Sequence, residues 1–443
     1  MKLFKYIAAF GFLIFFTSCE DYFGDDANVD PDNPTSATVN VLLPQVQARL
    51  AYTYGGDFAR YLGINTGHVD GVGRQFAVIG NYGIVPADVN SAWSNVYSGG
   101  LGANRVMLDI ANESGGSFHY EGIGLALEAF TIMMATDAWG SIPYSDAFKF
   151  GENGVYTPNF DTQEMIYQQI FEKIALARTK LSEDDGGNPP GGDDFFYGGN
   201  AAQWLKMLNV LEARANLHLS KINGDAYSRV LAALNAGGFE SSDDDFDFQF
   251  GETANETAPW YQYILERDDC EVGTPYLNLL TANNDPRIAT YGAMHTNDHP
   301  IWIRAQNLDL MSYTEQEFIR AEALMATGDK QGAFDAMVRG LTSSFVEAQL
   351  DITVDDPVAY IASRGIDANN VNMNNIMTQK YLALYTNPEV FNDWRRTGIP
   401  ALTPVSGSEI PRRLPYPETE SLANPNTPAP STISIFDRVW WDI

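Results

Sequence analysis

The stretch Thr136-Asp137-Ala138-Trp139-Gly140-Ser141-Ile142-Pro143-Tyr144-Ser145-Asp146-Ala147 follows a long apolar run, Tyr120 to Ala135. Within that run Ile123, Leu127, Phe130 and Met134 recur at helical spacing, so it reads as a buried helix. Gly140 and Pro143 end it, because glycine tolerates the left-handed turn after a helix and proline cannot continue one. The helix therefore leaves the core through an aromatic corner, Trp139 and Tyr144.

Outward from this corner the chain is mostly helical. Asp161 and Glu164 have the spacing of a capping box, and Ile166, Ile170, Ile174, Ala177 and Leu181 share one face behind them. Glu183 to Gly192 is acidic and rich in Gly and Pro, a surface loop. Asn200 caps the next helix, which buries Trp204, Leu208, Leu211, Ala215 and Leu219, and Ala226 to Ala236 is its short partner. Met311 to Phe345 reads as a further hairpin of tetratricopeptide type. Ala321, Leu324, Gly328, Ala333, Met337 and Gly340 fit that pattern, while Glu317 and Arg320 occupy positions it makes apolar. Upstream, Leu42 to Leu50 opens the first helix. Trp93 to Leu108 forms another, with glycines that suit close helix approach. Tyr54 to Pro86 reads as loops and short segments, and Gly237 to Leu310 as loops too long to be mere connections. The expected fold is mostly α: degenerate tetratricopeptide-like helical hairpins packed with a loop-rich, irregular ligand-binding region.

Composition narrows the function. The 443 residues are 45% hydrophobic and only 19% charged, enough for a large core. The net charge is −30, and a form beginning at position 19 would carry −32. Such a surface repels nucleic acid, which is held by clustered Lys and Arg, and repels anionic lipid as well. Membrane attachment then has to be covalent or by insertion. The first residues supply a route. Lys2 and Lys5 precede an apolar run, Ile7 to Phe16, that is too short to span a bilayer and has the form of a leader. Thr17-Ser18-Cys19 follows, small residues before a cysteine, as in a lipobox with Phe16 where Leu is usual. The expected organisation is a signal peptide over 1–18, a lipidated N-terminus and tether over 19–40, and a single globular domain over 41–443. With Cys19 lipidated, Cys270 has no disulfide partner. Asp268, Asp269 and Glu271 around it disfavour a thiolate, so it is not expected to be a nucleophile.

The wording of the corner, D-x-W-G-x-I-P-Y-S-x-A, resembles the SusD/RagB family of outer-membrane nutrient-binding lipoproteins, in its SusD-like branch. Further stretches are similar to that family, in its order. They are Asn33-Pro34, the helix with Trp204, Asn209, Leu211 and Arg214, and Asn284-Asp285-Pro286-Arg287. Ser312-Tyr313-x-Glu315 leads to Arg320-Ala321-Glu322-Ala323, and Gln379-Lys380-Tyr381 to Asp393-Trp394-Arg395-Arg396-Thr397-Gly398-Ile399-Pro400. Ile410-Pro411-Arg412-Arg413-x-x-Tyr416-Pro417-x-x-Glu420 and Val439-Trp440-Trp441-Asp442 close the set. The resemblance implies a cell-surface lipoprotein that captures oligosaccharide or peptide and delivers it to a SusC-like TonB-dependent transporter. It also implies ligand contacts in loops, of which Gly292 to Asn307 is shorter than in relatives.

Chemistry read from the residues points to binding without catalysis. No G-x-S-x-G or phosphate-binding loop is present, and no cofactor is expected. Asp243-x-Asp245-x-Asp247 begins like a calcium loop, but Phe248 and Ala254 stand where Gly and Glu are needed. His295 and His299 have ligand spacing, but Pro300 forbids the helix that would align them, so no metal pair is expected. Sugar rings stack their apolar faces on aromatic side chains, and amides and Arg bond their hydroxyls. Phe76, Tyr82, Trp260 and Trp302 are the loop aromatics outside any helical stripe, with Arg74, Asn81 and Arg304 as polar company. The paired arginines, Arg395-Arg396 and Arg412-Arg413, are expected to clamp carboxylates and stack on rings inside the fold. Two other readings compete: a helical-repeat scaffold for protein partners, and a lipid-anchored glycosidase.

Overall fold

A computed structural model describes residues 37–113, 115, 117–149, 154–292, 301–429 and 431–443. Cys19, most of the expected tether, His295 and His299 lie outside the described residues. The chain enters through α1 (Val39–Thr53), whose Leu42, Leu43, Val46 and Leu50 turn inward. A π-helical turn, Tyr54–Phe58, carries it directly into α2 (Ala59–Thr66). β1 (Val69–Gly71) and α3 (Arg74–Ile79) follow. This stretch, which reads as loops, is largely helical because Tyr54, Phe58, Tyr61 and Leu62 are all buried and hold its glycines in place. α4 (Asn90–Ser94) runs through a second π-helical stretch, Asn95–Gly102, into α5 (Ala103–Glu113). A Cβ at Gly99 would meet the Arg49 side chain of α1 at 2.6 Å, so close approach does account for a glycine there.

The axis of the molecule is α6 (Phe118–Trp139). Every residue from Tyr120 to Trp139 except Leu125 is buried, and a helix buried on every side belongs inside a core. Gly140 ends it with φ 79°. Trp139 is fully buried, edge-on to Phe58 at 5.4 Å and to Trp93 at 5.0 Å. α7 (Gln163–Leu181) packs along α6. Its cap differs from the expected capping box. Thr162, not Asp161, accepts from the Met165 N–H, at 3.3 Å. Asp161 is taken by the corner instead: it accepts the backbone N–H groups of Tyr144 and Ser145 and the Ser145 hydroxyl. Those three donors sit in one turn within reach of both oxygens, and a carboxylate can satisfy all of them.

α8 (Ala201–His218) is capped by Asn200 and pairs with α9 (Ala226–Asn235). The region up to Leu310, which reads as loops, contains short elements: β2 (Phe246–Gln249), α10 (Pro259–Glu266), β3 (Cys270–Val272), α11 (Thr274–Asn283), α12 (Ile288–Tyr291) and β4 (Asn307–Met311). β1 pairs antiparallel with β3, Val69 opposite Val272, and β2 with β4, Phe248 opposite Leu308. α13 (Tyr313–Thr327) and α14 (Lys330–Glu347) form the tetratricopeptide-like hairpin, with Gly328 as its turn. α15 (Pro357–Ser363), α16 (Met373–Ala383), α17 (Glu389–Thr397) and α18 (Glu418–Ala423) complete the chain. From α5 to α9 each helix packs on the next, and the series continues from α9 to α13 and α14. The fold is mostly α, as expected. No helix among the described residues is long and apolar enough to cross a membrane.

Candidate functional site

A cleft of about 700 Å³ opens between α1, the loop before α8, β2 and the segment leading into α10. That volume lies within the range of small-ligand sites, about 300–1,000 Å³. α1 contributes Gln45, Arg49 and Tyr52. These are spaced four and three apart, which puts them on one helix face, away from the buried Leu42, Leu43, Val46 and Leu50. Phe195 stands opposite. Its backbone N–H donates to the Gln47 side chain at 2.8 Å, and Gln47 Nε2 donates to Asp194 at 2.6 Å. Asp194 also accepts from Trp204 Nε1 at 2.8 Å. These bonds pin the loop while the neighbouring Phe196 and Tyr197 go into the core. Phe195 stays 51% exposed and Tyr52 37%, so each ring keeps a free face toward the cleft. Phe248 and Phe250 line its floor, and Gln249, Asn255, Glu256 and Gln262 supply polar groups at its edge. Two open aromatic faces with amides, a guanidinium and one carboxylate around them suit a polyhydroxylated ring compound.

The aromatic residues chosen from sequence lie elsewhere. Phe76 is on α3 and Trp260 on α10, not in loops, and both are buried. Phe76 packs edge-on to Tyr263 at 5.1 Å, and Trp260 edge-on to Trp302 at 4.9 Å. The Arg60 guanidinium covers Tyr263 at 4.7 Å. Tyr82 is nearly buried, its hydroxyl accepting from the Val405 N–H at 3.2 Å, and burial raises its pKa. Arg74 is exposed and pairs with Asp269 at 2.7 Å, and Asn81, also exposed, donates to the Ala77 carbonyl. Arg304 lies over Tyr261 at 5.0 Å. The structure thus joins Phe76, Trp260 and Trp302 through α10, whose Gln262 reaches the cleft from another side. Tyr52 escapes a sequence reading that searches loops for aromatics because it is on a helix, and Phe195 escapes it because nothing local separates this ring from Phe196 and Tyr197, which the core takes. The usable signal was an aromatic on the polar face of an amphipathic helix.

In the acidic run, where Phe248 and Ala254 already speak against a calcium loop, Asp247 pairs with Asn307 and Asp245 accepts from the Tyr313 N–H. The Cys270 thiol is pushed up to about 11, as expected for an inert cysteine, but burial is the main cause and not its acidic neighbours.

The profile of the SusD-like family, described as starch-binding and associating with the outer membrane, matches residues 31–301 and 293–417. The chain belongs to the SusD/RagB family. That family consists of outer-membrane nutrient-binding proteins. Solved structures share the fold. A SusD/RagB family protein from Bacteroides thetaiotaomicron is 24% identical with a TM-score of 0.73, covering 92% of this chain and 99% of its own. A chitin-binding SusD homolog from Flavobacterium johnsoniae is 21% identical with a TM-score of 0.76, covering 91% and 98%. A SusD homolog from Bacteroides uniformis is 20% identical with a TM-score of 0.72, covering 91% and 99%. Among curated proteins none matches.

The SusD/RagB motifs turn out to be one another's partners. Arg214 of the W-x-K helix forms a buried pair with Glu315 of S-Y-x-E. Arg396 of R-R-T-G pairs with Glu322 of A-E-A and with Asp393. Arg287 of N-D-P-R bonds Asp285 and reaches Gln379 of Q-K at 2.7 Å. Lys380 pairs with Asp393 at 2.7 Å. Arg413 bonds the Trp139 carbonyl and lies over Tyr416 at 4.9 Å, tying P-R-R-x-x-Y-P to the corner that ends α6. Arg395 sits 4.2 Å over Phe391 and 4.6 Å over Trp441, where burial lowers it to about 10. Arg412 pairs with Asp442 over Trp394. The four paired arginines face protein groups, and the motifs that carry the family resemblance bind one another inside the fold.

Proposed function

We propose that this protein captures an oligosaccharide at the cell surface and passes it, unaltered, to a SusC-like TonB-dependent transporter. The observation that carries the reading is the cleft with Tyr52 and Phe195 exposed on opposite walls and Arg49, Gln45, Asn255 and Gln262 between them. Membership of a binding family supports capture over turnover. The lining contributes a single carboxylate, Glu256, whereas glycoside hydrolysis ordinarily uses two. The likeness to a chitin-binding homolog makes chitin oligosaccharides the first ligands to try. Arg74, Asn81, Tyr82 and Arg304 belong to the proposal as outlying contacts for longer chains, with Phe76, Trp260 and Trp302 supporting them from below. In the same reading residues 1–18 are a leader, Cys19 carries the lipid, residues 19–40 form the tether and residues 41–443 act as one domain.

A carrier that must release its cargo binds modestly, in the micromolar to millimolar range, about −8 to −4 kcal/mol. Calorimetry on the purified protein with chitin and starch oligosaccharides, and with peptides, tests the reading. Tyr52→Ala and Phe195→Ala should each cost about 1–2 kcal/mol. Binding of peptides alone would replace oligosaccharide as the cargo, and parent-like affinity in both variants would place the site elsewhere. Cys19→Ala should release the protein from the outer membrane. Whole-cell protease accessibility and membrane fractionation read that out, and an unchanged distribution would remove the anchor from the proposal.

A further inference from the structure

The chain carries 57 acidic residues against 27 basic ones, and its exposed arginines are mostly ion-paired. Arg74 meets Asp269 at 2.7 Å, Arg178 meets Glu212 at 2.7 Å and Arg229 meets Asp225 at 2.8 Å. Arg49, the one cation lining the cleft among the described residues, differs. It is exposed on α1, and among the described residues it has no acidic partner. Its Nη1 donates instead to the Asn95 side chain at 2.9 Å. Its stem lies across Gly99, where a Cβ would meet Nε at 2.6 Å. A guanidinium has five N–H donors, so one bond to an amide fixes its direction and leaves most of them for a ligand. The acid of the lining, Glu256, comes from the segment leading into α10. Its carboxylate is folded onto the backbone of Gly251, where a Cβ would collide with Oε2. A second arginine without an acidic partner among the described residues stands behind that end of the cleft. Arg304 Nη1 is 3.3 Å from the Glu252 carbonyl, beside Gly251, and its guanidinium lies over Tyr261.

Resting on the capture of an oligosaccharide in this cleft, we infer that the cargo is acidic: an oligosaccharide containing uronic acid, whose carboxylate Arg49 binds. A carboxylate presents two oxygens in one plane, which match two parallel N–H groups of the guanidinium fork. Arg49 and Tyr52 are three residues apart on α1 and so neighbours on one helix face. A carboxylate held by Arg49 therefore brings its own sugar ring beside the exposed Tyr52 ring. The rest of this strongly acidic surface repels an anionic sugar, so the preference for an acidic unit belongs to this position in the cleft. Arg49 is in this reading the residue that sets specificity, while Tyr52 and Phe195 supply stacking that any sugar ring can use.

Calorimetry on the purified protein compares oligogalacturonate and glucuronoxylan oligosaccharides, each beside its neutral, carboxyl-reduced form, with chitin oligosaccharides as a further neutral reference. At least one acidic form should bind about tenfold or more tighter than its reduced form, the size expected of hydrogen bonds to a charged group. Arg49→Gln should bring that ratio close to one. Arg49→Lys should keep part of it, because the charge remains without the fork. Asn95→Ala keeps the guanidinium but frees it, so it should lower the ratio less than Arg49→Gln does, and it covers the case in which that variant misfolds. Neutral forms bound as tightly as acidic ones, with Tyr52→Ala weakening both, would overturn the acidic cargo and leave capture in the cleft standing. No binding of any oligosaccharide, acidic or neutral, would overturn both. A preference for the acidic form that survives in Arg49→Gln would also overturn the inference, because another group would then hold the carboxylate.

Discussion

Two buried histidines show how differently this core treats charge. His218, at the end of α8, and His68, between α2 and β1, are both fully buried. Around His218 the partners are acids. Glu389 is 2.6 Å from Nε2, and Asp137 and the Tyr167 hydroxyl are 3.1 and 2.8 Å from Nδ1. Burial alone would lower this imidazole, but Glu389 and Asp137 outweigh it and push it up to about 9. Glu389 in turn is held well below the usual carboxylate range, against burial, by His218 and Arg214. Around His68 the partners are neutral. Nδ1 accepts from the Thr386 N–H, Nε2 faces the Tyr381 carbonyl, and the rings of Tyr276 and Tyr381 enclose it. There burial wins and lowers it to about 3. Burial therefore does not decide the charge state of a histidine; the balance of desolvation against specific partners does.

The strongest way to break this comparison is to remove a partner charge on one side only. Glu389→Gln leaves His218 and Arg214 undercompensated and should cost about 3–5 kcal/mol of stability. His68→Gln, which disturbs neutral hydrogen bonds, should cost about 1–3 kcal/mol. Denaturant unfolding measures both, and equal losses would mean that the His218 network carries no special weight. The pH dependence separates the two residues next. His218 is raised above its unfolded value of about 6.5, so its stabilisation is full below that pH and is lost as pH rises through 9. His68 is lowered, so its stabilisation is full above about 6.5 and is lost as pH falls toward 3. Removing either histidine should flatten the stability profile on its own side only. The smallest contrast is between two hydroxyls. Tyr167→Phe removes a bond to the Asp137 carboxylate, 2.7 Å away, and should cost about 1.5–3 kcal/mol. Tyr381→Phe removes one to the Thr66 carbonyl, 2.9 Å away, and should cost about 0.5–1.5 kcal/mol. A reversed order would show that hydrogen bonds to charged groups bring no extra stability in this core.

Much of this was legible before the fold. α6 announces itself by its apolar run and its Gly140 stop, and the α13–α14 hairpin by its small residues and the turn at Gly328. The arginine pairs were readable as clamps because a strongly acidic chain with few cations has reason to keep them inside. Other readings failed for lack of long-range information. Asp161 has the spacing of a cap, yet the turn at Tyr144 and Ser145 outcompetes the helix for its oxygens. The short strands of the 237–310 region form only because β1 meets β3 and β2 meets β4, partners too distant for any local period to report.

The sequence by itself determined the long helices, the hairpin architecture and the family, since these rest on local periodicity and on motif wording. It also determined the pool of residues from which the buried ion pairs are drawn. Only the tertiary structure decided which carboxylate each arginine meets, and which aromatics face water. Trp260 and Trp302 look like free loop rings in the chain, but they pack against each other and disappear into the core. Tyr52 looks like part of a helix, yet it borders the cleft with Phe195, whose loop is held open by Gln47 and Asp194. The exposure of a ring depends on what distant segment packs over it, and that is settled when the segments meet.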